Sequence, residues 1–227
     1  MAFQVVIDER PADVLVPRVV ALAYEAVAAR GRFSIALPGG SVATTCFPRL
    51  AEAAIDWGRV HFFWADERAV PPTHEESNYG ACERLWLERI VAHAPVVHRM
   101  EAEHADLDDA VARYERAVRA NGPIDLVLLG MGPDGHVASL FPGHGLLEEK
   151  ERGVAAVLDS PKPPPRRMTL TLPVICAARD VIVVATGAAK AGAVRAIRDD
   201  PASRLPAALA LRGAARAMLI VDPAAAG

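Results

Sequence analysis

Residues 33–54 read FSIALPGGSVATTCFPRLAEAA, and this stretch decides the fold. FSIAL is nearly apolar throughout, as a strand covered on both faces must be. Pro38-Gly39-Gly40-Ser41 follows, and then a segment of helical period over residues 44–54. Two glycines let the backbone turn tightly, which aims free amides and the Ser41 hydroxyl at one point, the arrangement that holds an anion at a helix N-terminus. The alternation continues along the chain, with further strands expected at 60–64, 124–129, 181–185 and 217–221. Helices are expected at 12–29, 78–92, 108–120 and 188–197, and Ser77 is placed to cap the helix at 78. Such alternation predicts an open, doubly wound, mainly parallel sheet with helices on both faces. No composition break divides the chain, so residues 1–227 are expected to form one α/β domain.

Composition narrows the function classes. The 227 residues are 52% hydrophobic and 23% charged, with a net charge of -3, which predicts neither a disordered tail nor a nucleic-acid-binding surface. Cys46, Cys82 and Cys176 are scattered and odd in number, which predicts neither a disulfide framework nor a thiolate metal site. Residues 1–10 begin with a strand-like FQVVID in place of a secretory leader, and no run of about 18 uncharged apolar residues follows. The expectation is a cytoplasmic protein without membrane or nucleic-acid partners, acting as a monomer or small homo-oligomer.

Ligands of open α/β sheets bind beyond the carboxyl ends of the strands, so residues just after each strand carry the functional information. Four such places stand out: Gly39 to Ser41, Asp66-Glu67-Arg68, residues 130–143, and Gly187 followed by Lys190. Residues 130–135 fit G-x-G-x-x-G, but Pro142-Gly143 halts any long helix there, so no dinucleotide cofactor is expected. No Walker-type loop and no G-x-S-x-G elbow is present. The stretch does place Asp134 and His136 two residues apart on a glycine-relaxed backbone at a strand end. An imidazole can take a proton from water near neutrality, and a carboxylate beside it fixes its tautomer. The histidines at 61, 74, 93, 98, 104 and 144 lack metal-ligand spacing, so neither a metal nor another cofactor is expected. Arg68, Lys190 and either Arg166 or Arg167 are candidate phosphate contacts. The proline-rich residues 160–165 (SPKPPP) read as a solvated connector, ended by an alternating strand at 167–172.

Together, PGGS (38–41), DERAVP (66–71), ESNYG (76–80), GMGPDGHVASLFPG (130–143), RMTLTLPVI (167–175) and GAAK (187–190) resemble the 6-phosphogluconolactonases, in that family's order and over nearly the whole chain. The resemblance implies metal-free hydrolysis of 6-phosphoglucono-1,5-lactone to 6-phosphogluconate, on the fold shared with glucosamine-6-phosphate deaminases and ribose-5-phosphate isomerases. It implies His136 as base and Asp134 as its supporting acid. It further implies a sugar phosphate bound by Gly39, Gly40, Ser41, Asp66, Arg68, Arg167 and Lys190. The chain departs from the family pattern at Pro38, at Val42-Ala43 and at Val137, each replacing a hydroxyl, for which Thr44 or Thr45 is a candidate substitute. The nearest rival is an amino-sugar-phosphate deaminase or isomerase, which would move a proton with Asp66. DER and ASLFPG favour the lactonase over the deaminase pattern. A non-catalytic sugar-phosphate sensor is a third reading, one that usually carries a DNA-binding module.

Overall fold

The computed structural model describes residues 3–227, so Met1 and Ala2 of the N-terminal stretch lie outside it. The described residues form ten strands: β1 Gln4–Ile7, β2 Phe33–Leu37, β3 Val60–Trp64, β4 Asp66–Arg68, β5 Val96–Val97, β6 Leu126–Gly130, β7 Val154–Val157, β8 Arg167–Leu170, β9 Asp180–Ala185 and β10 Ala217–Val221. Between them lie α1 Pro11–Arg30, α2 Gly40–Ala51, α3 Asn78–Cys82, α4 Glu88–Ile90, α5 Leu107–Asn121, α6 Leu172–Ala177, α7 Ala191–Asp199 and α8 Pro206–Gly213, and α9 Pro223–Ala226 follows β10. Seven strands form an all-parallel sheet in the order β1-β10-β9-β6-β2-β3-β5, doubly wound with helices on both faces. The buried core runs from Phe3 to Ala226.

The topology opens a crevice between two neighbouring strands. From β2 the chain crosses through α2 to β3 on one side, whereas from β6 it works outward to β9 on the other, so the direction of winding reverses between β2 and β6. These strands pair only at Ile35↔Leu126 and Ala36↔Val127 and are unpaired beyond. A clamp holds their other ends: the Asp125 carboxylate accepts from the Ser34 amide at 2.8 Å and hydroxyl at 2.9 Å, while the Asp125 amide donates to Ser34 Oγ.

A second sheet, antiparallel β4-β8-β7, was not foreseen. Its strands are too short or too polar to announce themselves: DER at β4 and VAAV at β7. Ala65 joins the sheets, donating its amide to Leu37 O and accepting from the Leu170 amide, both at 2.8 Å. Several boundaries also differ from expectation. Strand β8 stops at Leu170 because Thr171 begins a turn into α6, with Pro173 in its first turn, rather than continuing to 172. Helix α2 starts at Gly40 rather than at 44, the chain turning at φ +65° there. The helical run from Asn78 is capped by Ser77 as foreseen and includes a π turn at Glu83–Leu87.

The outer edge of β3 beyond β5 is sealed by a side chain. Strand β5 pairs only with His61 and Phe62, leaving Trp64 without a strand partner on that side. There the buried Tyr114 hydroxyl accepts from the Trp64 amide at 2.7 Å and donates to the Trp64 carbonyl at 2.9 Å. Tyr114→Phe strands both backbone groups and should lower the unfolding free energy by about 1–3 kcal/mol, read from urea denaturation. An unchanged midpoint and slope would show that the edge is satisfied in another way.

Candidate active site

A cleft of about 190 Å³ opens at the carboxyl ends of β2 and β6, with β4, β8 and the turn after β9 closing its sides. Of the residues singled out from the sequence, Gly39, Gly40, Ser41, Asp66, Arg68, His136, Arg167 and Lys190 all line it. Asp134 stands behind His136. Residues distant in sequence thus share one concave surface.

Gly39 admits no other residue. A Cβ there would lie 1.8 Å from Asn78 Oδ1, because Asn78 reaches across to donate to Asp66 O at 2.9 Å and Asp66 Oδ1 at 3.1 Å. Gly40 needs its freedom for another reason, the positive φ that starts α2. With side chains absent at both positions, the amides of the turn can approach an anion closely.

The turn at 132–135 builds the titratable pair. His136 Nδ1 stands 2.6 Å from Asp134 Oδ1, over the backbone of Gly132, where a Cβ would meet the ring at 2.0 Å. A carboxylate can only accept, so Nδ1 carries the proton and Nε2 presents a lone pair. The ring rests on Phe141 at a centroid distance of 4.9 Å. Burial pushes the imidazole below its ordinary value, against the opposing pull of the Asp134 hydrogen bond and charge. Burial alone would raise Asp134, but His136 and Lys162 together hold it down at about 2.

Asp66 and Ser139 fix the far wall. The Ser139 hydroxyl, wholly buried, donates to Asp66 Oδ2 at 2.7 Å, and Arg167 Nη1 stands 3.9 Å from the same oxygen. Arg167 is only 4% exposed and spends most of its donors on backbone: Nε on Pro164 O, Nη2 on Lys162 O and Pro163 O. Arg68 Nη1 donates to Glu76 O, while its buried Nε has no partner among the described residues. Lys190 makes no ion pair among the described residues. Its ammonium is pushed down by burial and then by the like charge of Lys162, a repulsion that an anion in the cleft would relieve.

Several expectations change. Glu67 faces away from the cleft and takes the Ser77 hydroxyl and the amides of Arg68, Asn78 and Tyr79, tying down the start of α3; its own burial raises its pKa against those amides. Arg166 is exposed, and of the two arginines Arg167 reaches the cleft. Thr44 and Thr45 both donate to Ser41 O, so neither supplies a hydroxyl to the site. Residues 160–165 are not a free connector, since Lys162 reaches Asp134 Oδ1 at 3.2 Å and His136 Nδ1 at 3.1 Å. Asn78, Ser139 and Lys162 escaped the sequence reading, although Asn78 and Ser139 sit inside motifs it quoted. No cluster of three or more His, Cys, Asp or Glu among the described residues is arranged to hold a metal ion.

Asp134 is one of the groups that raise the His136 pKa, so losing its charge should lower that pKa further and keep the ring neutral to a more acidic pH. An NMR titration of the His136 ring in Asp134→Asn should therefore end below that of the parent; a midpoint at or above the parent's would refute the pairing.

Comparison with known proteins shows the family and the fold. A rat 6-phosphogluconolactonase is 43% identical over 191 residues, covering 79% of this chain and 74% of the relative. A rice chloroplastic protein named as a probable 6-phosphogluconolactonase is 38% identical over 214 residues, covering 86% of this chain; the chain spans 65% of that relative's length. A solved 6-phosphogluconolactonase from Trypanosoma brucei superposes with a TM-score of 0.87 at 28% identity, covering 99% of this chain and 97% of that one. A monomeric glucosamine-6-phosphate deaminase superposes with a TM-score of 0.84 at 18% identity, a likeness of fold alone. The sequence profile of glucosamine-6-phosphate isomerases/6-phosphogluconolactonase matches residues 8–219, and the chain belongs to that family.

Proposed function

We propose that the protein hydrolyses 6-phospho-D-glucono-1,5-lactone to 6-phospho-D-gluconate, with His136 as general base. The observation that carries this reading is the His136–Asp134 pair at 2.6 Å in the same cleft as the glycine turn at 39–41, Arg68 and Lys190. A base and an anion site so close together fit a small substrate with a phosphate at one end and an electrophilic carbonyl at the other. The phosphate is received by the amides of the turn, the Arg68 guanidinium and the Lys190 ammonium. His136 Nε2 takes a proton from a water as its oxygen attacks the lactone C1. The tetrahedral oxyanion collapses, the bond from C1 to the ring oxygen breaks, and the proton held by His136 passes to that oxygen. One water is consumed and the base is regenerated.

Asp66 is better suited to holding the cleft together than to moving a proton between sugar carbons, since Asn78 and Ser139 occupy its oxygens. That disfavours the deaminase reading. Cys46 and Cys82 are buried, all three cysteines are free thiols, and no helix among the described residues is long and apolar enough to cross a membrane. Thiols kept free fit a reducing compartment, and the proposal extends to a cytoplasmic enzyme of one domain, monomeric or a small homo-oligomer, without a nucleic-acid partner.

The test is acid release from freshly prepared 6-phosphogluconolactone, measured over the buffer background. The protein should accelerate it, and His136→Ala should lower turnover by about 10²- to 10⁴-fold. No acceleration, or ammonia release from glucosamine 6-phosphate, would overturn the assignment. Lys190→Ala should instead raise mainly the Michaelis constant, a loss of about 1.5–3 kcal/mol for a charge-assisted contact, and unphosphorylated gluconolactone should be a poor substrate. Equal activity on both lactones would remove the phosphate site from the reading.

A further inference from the structure

The proline-rich stretch 160–165 has an unusual hydrogen-bonding problem. Four of its six residues are prolines, so between Pro161 and Pro165 the single backbone donor is the Lys162 amide. That amide donates to Ser160 Oγ at 3.2 Å, the Ser160 hydroxyl donates back to Lys162 O at 2.8 Å, and the Ser160 amide donates to Pro165 O at 3.1 Å. The carbonyls of Lys162, Pro163 and Pro164 are all taken by the buried guanidinium of Arg167. The stretch is therefore a closed strap, latched from within by Ser160 and from below by Arg167. It carries one long polar side chain, and that side chain reaches the imidazole–carboxylate pair.

We propose that Lys162 is a positioning residue for the base: the strap holds its ammonium on Asp134 Oδ1, the oxygen that also receives His136 Nδ1–H, so that the carboxylate orients the ring without charging it. The inference rests on the reading of His136 as base. Asp134 alone would favour the imidazolium, whose Nε2 carries a proton and cannot accept one from water. A cation 3.1 Å from Nδ1 opposes that outcome in two ways: it repels a charged ring directly, and it shares the carboxylate's negative charge. It leaves the hydrogen bond in place, so the ring keeps its orientation.

The other charges around the ring do not substitute for it. Asp66, on β4, acts in the opposite sense by favouring the charged ring. Arg167, on β8, is committed to the strap and stands over Phe141 rather than beside the imidazole. Lys190, at the turn after β9, lines the cleft on the side assigned to the substrate phosphate, which would neutralise it when bound. Lys162 alone stands against both members of the pair, donating to Asp134 Oδ1 at 3.2 Å and holding its ammonium 3.1 Å from the protonated Nδ1.

The test compares Lys162→Met and Lys162→Arg with the parent enzyme through two readouts. In the first, the His136 ring is titrated by NMR in the substrate-free protein. Lys162→Met should move the midpoint to higher pH, opposite to Asp134→Asn, and Lys162→Arg should return it toward the parent. In the second, the acid limb of kcat/KM should move the same way. Because the Lys162 side chain is 37% exposed and solvent screens it, the expected effect is a roughly two- to fivefold loss of kcat/KM on the acid limb, shrinking as the pH rises. A loss uniform across pH with an unmoved ring titration would overturn the proposal and reduce Lys162 to a loop contact. A ring titration that moves as stated in a protein without lactonase activity would support the positioning role while the assignment of the reaction failed. The titration in substrate-free protein thus separates the two.

Discussion

The carboxylate of Asp66 is the tie on which the cleft depends. It sits one residue past Ala65, where the chain leaves the parallel sheet for the antiparallel one, and it is 5% exposed. A carboxylate in that position costs several kcal/mol unless it is hydrogen-bonded and faced by a cation. Asn78, Ser139 and Arg167 meet that demand, each from a different segment. Their positions then dictate others. Asn78 stands so close to the glycine turn that no Cβ fits at 39, and Arg167, drawn inward, meets the carbonyls of the proline strap. One buried charge thereby sets the geometry of the anion turn, the glycine loop and the strap.

Such over-determination matters because the proposed hydrolysis asks for fixed dipoles rather than mobile ones. Charge that develops at a lactone carbonyl is stabilised best by groups that need no reorientation as it appears. The side chains around the cleft are mostly committed: Asn78 and Ser139 bond Asp66, and Phe141 supports the ring of His136. Lys190 is the exception, an ammonium without a protein partner among the described residues. An unpaired cation near another cation is unfavourable, which fits the proposed phosphate contact better than a stabilising role in the fold.

Much of this was legible in the sequence wherever the informative residues are contiguous. The parallel sheet could be read from β2, β3, β9 and β10 because strands buried on both faces are apolar runs. Asp134 and His136 could be read because both lie on one glycine-bounded loop. Long-range partnerships could not: Asp66 and Ser139 are 73 residues apart, and nothing local in DER says that one acid turns into the cleft and the other away. The antiparallel sheet was hidden for a similar reason, since VAAV and DER acquire their strand conformation from pairing with β8 rather than from their own propensity. Composition misled most at 160–165. Proline-rich sequence reads as linker because it cannot donate hydrogen bonds, yet that lack leaves its carbonyls open to a buried arginine. Helices α6, α8 and α9 each carry a proline in the first turn, a start signal that was present and unused.

The departures from the family pattern acquire a physical meaning once the crevice between β2 and β6 is considered. Val42 and Val137 are 2% and 0% exposed, so the missing hydroxyls would point into the core rather than at a ligand. Val42 packs against Gly130, where a Cβ would approach its methyl at 3.3 Å, and so sits at the place where β2 and β6 have ceased to pair. A methyl there excludes water and holds the diverging strand ends together by contact. A hydroxyl in its place would need a partner that this apolar floor does not offer. Pro38 acts on the other side of the turn. Lacking an amide, it leaves Gly39 and Gly40 as the first donors an anion can meet, and its fixed φ limits how the chain enters the glycines. The three changes therefore exchange hydroxyls for shape at the base of the cleft, while the groups assigned to phosphate and proton transfer stay in place.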